Sequence, residues 1–316
     1  MSDILTIGDS SIDITLHVNT VDEKVTTSGD SEICFVHGTK IPVESLTTSI
    51  AGNAVNVGIG CNYLGLKTSI YTEIGDDENG ERIIKELAKL GVDTRYCVKN
   101  AATTTDIHSI IVYNKERTIF SYHGKRNYMV RDWEKPKLLY YTSIGDGFQS
   151  FQDELIKYIK SNSGVGTVFN PGTYQLKAGV ESLKSFMEVT DILILNMEEA
   201  AKIVGEKPLP QIHIDLQKLG PKLTVITDGE KGVSAFDGKN LVSLTAYDDG
   251  RPVVDKTGAG DAFSSGFVSA IFHKRPLREA LAWGVVNARG EIEVAGTDTG
   301  LYTKDKMENL VNKLVE

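Results

Sequence analysis

Short strand-like runs recur along the chain, the one at 192–195 wholly apolar. They lie at residues 3–8 (DILTIG), 67–72, 138–142, 166–170, 192–195 and 223–226. Wholly apolar runs of this length are expected of parallel strands covered on both faces. Between them, apolar residues fall at helical spacing. Ala54, Val57, Gly58, Cys61 and Leu64 form one stripe, and Ile83, Ile84, Leu87 and Leu90 another. Residues 151–159 and 277–292 read as further helices, the second interrupted by Gly284 and Gly290. Strand and helix in alternation predict a three-layer α/β/α fold around a mostly parallel central sheet. Two regions break the rhythm. Residues 25–50 alternate apolar and polar positions, with a turn at Gly38, and 107–113 and 118–122 flank Asn114, Lys115 and Glu116 as a hairpin. Both predict short strands in a separate, smaller sheet.

The stretch that concentrates chemistry is residues 251–267, RPVVDKTGAGDAFSSGF. It reads as a strand end, a tight glycine turn and a helix start. Gly258 and Gly260 free the backbone to turn and to approach a ligand. The amides of Gly258, Ala259, Gly260 and Asp261 then sit at a helix N-terminus, where unpaired N–H groups favour an anion. Asp261 puts a carboxylate at the same place. A cradle for phosphate charge beside a base for a hydroxyl proton suits phosphoryl transfer. A first-turn Asp is also favoured by the helix dipole alone.

Other polar positions gather at element ends. Asp9 and Asp13 follow the first apolar run, where Asp also serves turns. Asn53 and Asn56 lie near a helix start; each amide both donates and accepts, as a polyol requires, although Asn53 also suits capping. Asn196 and Glu199 follow the 192–195 run in the form of a capping box. Thr227, Gly229 and Gly232 close the 223–226 run. No GxxxxGK[ST] occurs, and Phe263 stands where a GxGxxG would need its third glycine, so neither a P-loop nor a dinucleotide fingerprint is present.

DKTGAGDAFSSGF closely resembles the C-terminal signature of the ribokinase-like (PfkB) carbohydrate kinases, and matching segments occur in family order over nearly the whole chain. The resemblance implies one kinase domain over 1–316, with a lid from about 14–50 plus strands about 105–123 that closes over the sugar and often forms a dimer interface. It implies transfer of the γ-phosphoryl group of ATP to a primary alcohol of a small, neutral sugar. Asp261 is then the base, with Gly258, Ala259 and Gly260 completing the anion hole. Asp13, Gly52, Asn53 and Asn56 line the sugar. Asn196 and Glu199 organise hydrated Mg²⁺ and phosphate; Thr227, Gly229, Gly232 and Asn287 hold the nucleotide. Asp255 is either a ligand to a monovalent cation (K⁺) or a turn residue. Arg289, Gly290 and Glu291 depart from the small apolar residues common there. A nucleoside kinase with Phe35, Tyr122 and Tyr128 as a base slot, a sugar-acid or phosphosugar kinase, and a silent sugar-binding protein stay open as alternatives.

Composition narrows this little further. A net charge of −9 without a basic run excludes a nucleic-acid footprint. The N-terminus lacks the basic region of a signal peptide, and no apolar segment has membrane-spanning length. Cys34, Cys61 and Cys97 form no paired pattern, so reduced thiols in a cytoplasmic protein are expected. Lys125 and Arg126 read as a solvated loop; turned inward, they would favour an anionic substrate.

Overall fold

The computed structural model describes residues 1–18, 25–28, 32–114, 116–254, 256–293 and 300–315. Its strands are β1 (Ile4–Ile7), β2 (Ser11–Val18), β3 (Val25–Ser28), β4 (Glu32–Phe35), β5 (Val43–Ala51), β6 (Thr68–Gly75), β7 (Asp93–Asn100), β8 (Asp106–Tyr113), β9 (Glu116–Tyr122), β10 (Leu138–Tyr141), β11 (Gly166–Phe169), β12 (Ile192–Asn196), β13 (Leu223–Thr227), β14 (Val233–Phe236) and β15 (Leu241–Leu244). Its helices are α1 (Asn53–Tyr63), α2 (Glu78–Lys89), α3 (Phe148–Ser161), α4 (Thr173–Lys177), α5 (Val180–Met187), α6 (Met197–Val204), α7 (Leu209–Gln217), α8 (Ala259–Phe272), α9 (Leu277–Glu291) and α10 (Lys304–Val315).

Nine strands form one sheet in the order β15-β14-β13-β12-β11-β10-β1-β6-β7. All pairs from β7 across to β13 are parallel; the last two, β13 with β14 and β14 with β15, are antiparallel. β1 sits between β10 and β6, and all four of its residues are buried. Alternation along it feeds both faces. Ile4 joins Val57, Phe267 and Trp283 on the side of α1, α8 and α9, whereas Leu5 and Ile7 join Phe151, Leu183 and Phe186 on the side of α3 and α5. The apolar runs of the sequence are thus central strands, and the three layers are those expected.

A second sheet has the order β5-β2-β8-β9, and β3 pairs with β4 beside it. The chain enters this sheet just after β1 and returns through β5 straight into α1. Gly52 makes that return possible: its φ is +111°, and the Asp9 carbonyl lies where a Cβ would stand. The base of the small sheet is buried through Ile12 and Ile50 against α1 and α2, whereas all of β9 and the first six residues of β5 are exposed. Phe35, Val36, Val43, Leu46, Ile119, Phe120 and Tyr122 are exposed apolar side chains of this region.

One local expectation fails. Residues 251–254 are not a strand but an irregular, exposed segment, joined to the end of α9 where the Val254 N–H donates to the Ile292 carbonyl at 2.8 Å. Charge dictates this path. Arg289, buried in α9, donates to Asp249 at 3.0 and 3.1 Å and to the Arg251 carbonyl. The segment is tied down by a guanidinium rather than paired into a sheet. That is also how the polar Arg289 packs where small apolar residues were expected.

Candidate active site

Gly258 caps α8 with φ +76° and ψ −8°, a left-handed conformation that glycine adopts without strain. The turn aims the first amides of α8 away from the helix body. At Gly260 a Cβ would meet nothing within 4 Å, so the helix start faces open space. Asp261 lies in the first turn, buried, and is gripped by α1. Asn53 Nδ2 donates to one carboxylate oxygen at 3.0 Å and Asn56 Nδ2 to the other at 2.8 Å. α1 and α8 pack closely: Gly60 leaves room for Ser265, whose hydroxyl stands where a Cβ would fall. Burial pushes the Asp261 carboxyl up to about 6, against the two amide donors, which favour its ionised form. The charge that acts on it is the Glu199 carboxylate, which raises it further. Asn56 Oδ1 is buried without a partner among the described residues, an acceptor that a substrate hydroxyl would satisfy.

The sequence reading put Asn53 and Asn56 against the sugar. The structure has them hold Asp261, with their remaining amide atoms left for a ligand. Gly52 is a packing residue against Asp9 and Ser10. Asp13 is buried on β2. Its Oδ1 accepts from Ser11 Oγ at 3.1 Å and lies 3.1 Å from His108 Nδ1 of β8, its register partner.

A cluster that sequence reasoning largely missed lies at the base of the small sheet. Asp106, the first residue of β8, accepts from His123 Nδ1 at 3.0 Å, from the Gly124 N–H at 3.0 Å and from the Arg126 guanidinium. The Arg126 side chain is only 2 % exposed and also donates to the Thr104 carbonyl at 3.0 Å. Arg126 therefore does not lie in a solvated loop; Lys125 does. Arg126 turns inward to Asp106, which neutralises it. Asp9 lies beside this pair. Tyr128 Oη donates to its Oδ1, its Oδ2 is buried without a partner among the described residues, and burial pushes its carboxyl up to about 7. Asp9, Asp106 and His123 come close enough together to offer ligand atoms to one ion, but Arg126 and Tyr128 already occupy an oxygen of each carboxylate. Such charge pairs between positions twenty residues apart leave no periodic signal.

At the nucleotide end, Asn196 and Thr227 are register partners at the carboxyl ends of β12 and β13, the place where open α/β sheets bind ligands. The capping box is formed. Asn196 Oδ1 accepts from the Glu199 N–H at 2.8 Å, and Glu199 Oε2 accepts from the Asn196 N–H at 2.9 Å. Burial raises the Glu199 carboxyl above its usual range, the state of a carboxylate that a cation would stabilise. Gly229 has φ +52°, and Gly232 has φ +99° with the Leu244 carbonyl in the place of a Cβ; both shape the turn. Asn287 is fully buried. Its Nδ2 donates to the Ala262 carbonyl at 2.9 Å and to Ser265 Oγ at 3.1 Å, and its Oδ1 accepts from the Tyr302 N–H at 3.3 Å. It joins α9 to α8 and has no amide hydrogen left for an adenine. Asp255 and residues 294–299 lie outside the described residues. Phe35, Tyr122 and Tyr128 do not form a slot: the first two are exposed, and Tyr128 is buried against Asp9. A different set of rings meets beside Asp13. His108 and His123 have centroids 5.4 Å apart, and His123 and Tyr174 of α4 5.7 Å.

A family model described as pfkB family carbohydrate kinase matches residues 15–304. The chain belongs to that family. This PfkB-family chain is 25 % identical over 304 residues to a nucleoside kinase of Methanothermobacter thermautotrophicus, covering 95 % of this chain and 92 % of that one. It is 24 % identical over 326 residues to an ATP-dependent 6-phosphofructokinase of Thermoanaerobacterium thermosaccharolyticum, covering 98 % and 93 %. An Arabidopsis thaliana ribokinase solved with ribose and ATP superposes with a TM-score of 0.79 at 19 % identity, over 98 % of each chain. The fold is ribokinase-like, and the enzyme is a phosphotransferase of the carbohydrate-kinase type. No helix among the described residues is long and apolar enough to cross a membrane.

Proposed function

We propose that this kinase transfers the γ-phosphoryl group of ATP to a primary alcohol of a small neutral sugar, with Asp261 as general base. The observation that carries the reading is the placement of Asp261: a desolvated carboxylate held by two amides at a glycine-opened helix N-terminus. The substrate hydroxyl gives its proton to Asp261. The Gly258, Ala259, Gly260 and Asp261 amides face the charge on the phosphoryl as it transfers. Asn196 and Glu199 suit hydrated Mg²⁺, since Glu199 is a half-buried carboxylate with one oxygen outside the capping box. When bound, the metal neutralises phosphate charge. Thr227, Gly229 and Gly232 form the wall along the nucleotide.

Neutrality of the acceptor follows from charge. Asp13, Asp9 and Asp106 surround the sugar end. Arg126, a buried cation there, is committed to Asp106, so among the described residues a sugar acid or phosphosugar meets carboxylates and no uncommitted buried guanidinium. A second reading, a nucleoside acceptor, is favoured by the rings of His108, His123 and Tyr174, and a relative carries that name. The small sheet acts as a lid, and its exposed apolar face pairs two copies. ADP release measured over ribose, fructose, adenosine, cytidine, fructose 6-phosphate and gluconate tests the assignment. Turnover with neutral sugars above the anionic ones is expected. A preference for fructose 6-phosphate or gluconate would overturn it.

A further inference from the structure

The lid brings one side chain to the phosphoryl site that no part of the account above uses. Arg117 lies on β9 at the hairpin end, opposite Val112. Its Nη1 donates to Thr257 Oγ1, across 140 residues of sequence. Thr257 immediately precedes Gly258, where the anion cradle begins. The outermost strand of the small sheet thus reaches over the cleft and sets a guanidinium at the rim of the cradle.

The electrostatics of the cradle give that placement a purpose. Among the described residues, the groups that chiefly act on Asp261 are two neutral amides and the Glu199 carboxylate. A phosphoryl group transferring there develops negative charge beside two carboxylates, opposed by backbone amides and, when bound, by the metal at Asn196 and Glu199. A guanidinium carries permanent charge and five donors in a planar fork that matches phosphate oxygens. Its long side chain also lets it follow the lid.

We propose that Arg117 is a catalytic residue, delivered by the lid to the γ-phosphoryl group and donating to its oxygens as charge builds in the transition state. This rests on the phosphoryl-transfer reading of the Asp261 site. It couples chemistry to closure, because the guanidinium arrives only with the small sheet in place.

The test uses the full chain with Arg117→Ala and Arg117→Lys, in two assays. In turnover with the best acceptor of the panel, Arg117→Ala is expected to lower kcat by about 10²-fold or more, the usual range for a lost transition-state donor or arginine finger. The acceptor KM should stay within about threefold, and added guanidinium chloride at millimolar levels should restore part of the rate. In nucleotide binding with Mg²⁺, aluminium fluoride, a mimic of the transferring phosphoryl, should tighten ADP binding in the wild type and in Asp261→Asn but not in Arg117→Ala. A kcat within threefold of wild type, or a loss confined to KM, would show Arg117 to be a lid latch only and overturn the proposal. If aluminium fluoride fails to tighten ADP binding in the wild type, the phosphoryl-site reading itself falls, and the role of Arg117 with it.

Discussion

At the scale of single residues, Asp261 sets burial against charge. Burial disfavours the charged form and pushes its carboxyl up to about 6 in the folded chain, against about 3.9 when exposed. Between those values the folded state holds a proton that the unfolded state has released. Stability therefore falls as pH rises from about 4 to about 6, and the ionised carboxylate at neutral pH is a cost to the fold. Two outcomes follow. The rate should rise with pH through about 6 and level off above it, as a pH–kcat/KM profile would show. Asn56→Ala should move that acid limb upward, since it removes a donor to the ionised form; a limb that stays in place or moves down would contradict the hydrogen-bond reading. Arg126 makes the opposite case. It is buried and paired with Asp106, and Arg126→Met leaves that carboxylate in the interior without its guanidinium. A loss of about 3–5 kcal/mol in urea unfolding is expected, with the ranking of neutral over anionic acceptors unchanged.

At the scale of elements, legibility tracked the range of the signal. Central strands were readable because burial on both faces writes an uninterrupted apolar run, and the 192–195 and 223–226 runs are β12 and β13 almost to the residue. The glycine turn before α8 was readable because only glycine tolerates its φ. Residues 251–254 misled because Val253 and Val254 look like strand residues, whereas Arg289 and Asp249 decide where the segment goes. Asn53 and Asn56 were found as a pair, but their hydrogen bonds to Asp261 were not, because spacing shows which helix face they share and not that α8 packs against it. The cluster of Asp9, Asp106, His123 and Arg126 joins β1, β8 and the chain after β9, and only the tertiary fold brings these together.

At the scale of the molecule, the main sheet buries its surface and the small one does not. β9 is an edge strand with every residue exposed, and Ile119 and Phe120 on it are apolar. Exposed edges of this kind recruit a second chain, so the protein is expected to be a dimer by light scattering. Phe120→Glu with Leu46→Glu should yield monomers that keep their secondary structure. A strict monomer at high wild-type concentration would remove the dimer and leave the lid untouched.

The proposed activity turns on a base placed at an anion cradle, and Asp261→Asn examines that placement directly. The variant keeps the shape of the side chain and removes the proton acceptor. With the acceptor that the wild type uses best, kcat should fall by about 10²–10⁴-fold, while ATP binding persists and the melting temperature at pH 7.5 is unchanged or higher. An Asp261→Asn enzyme that turns over within a few-fold of wild type would contradict the account at its centre.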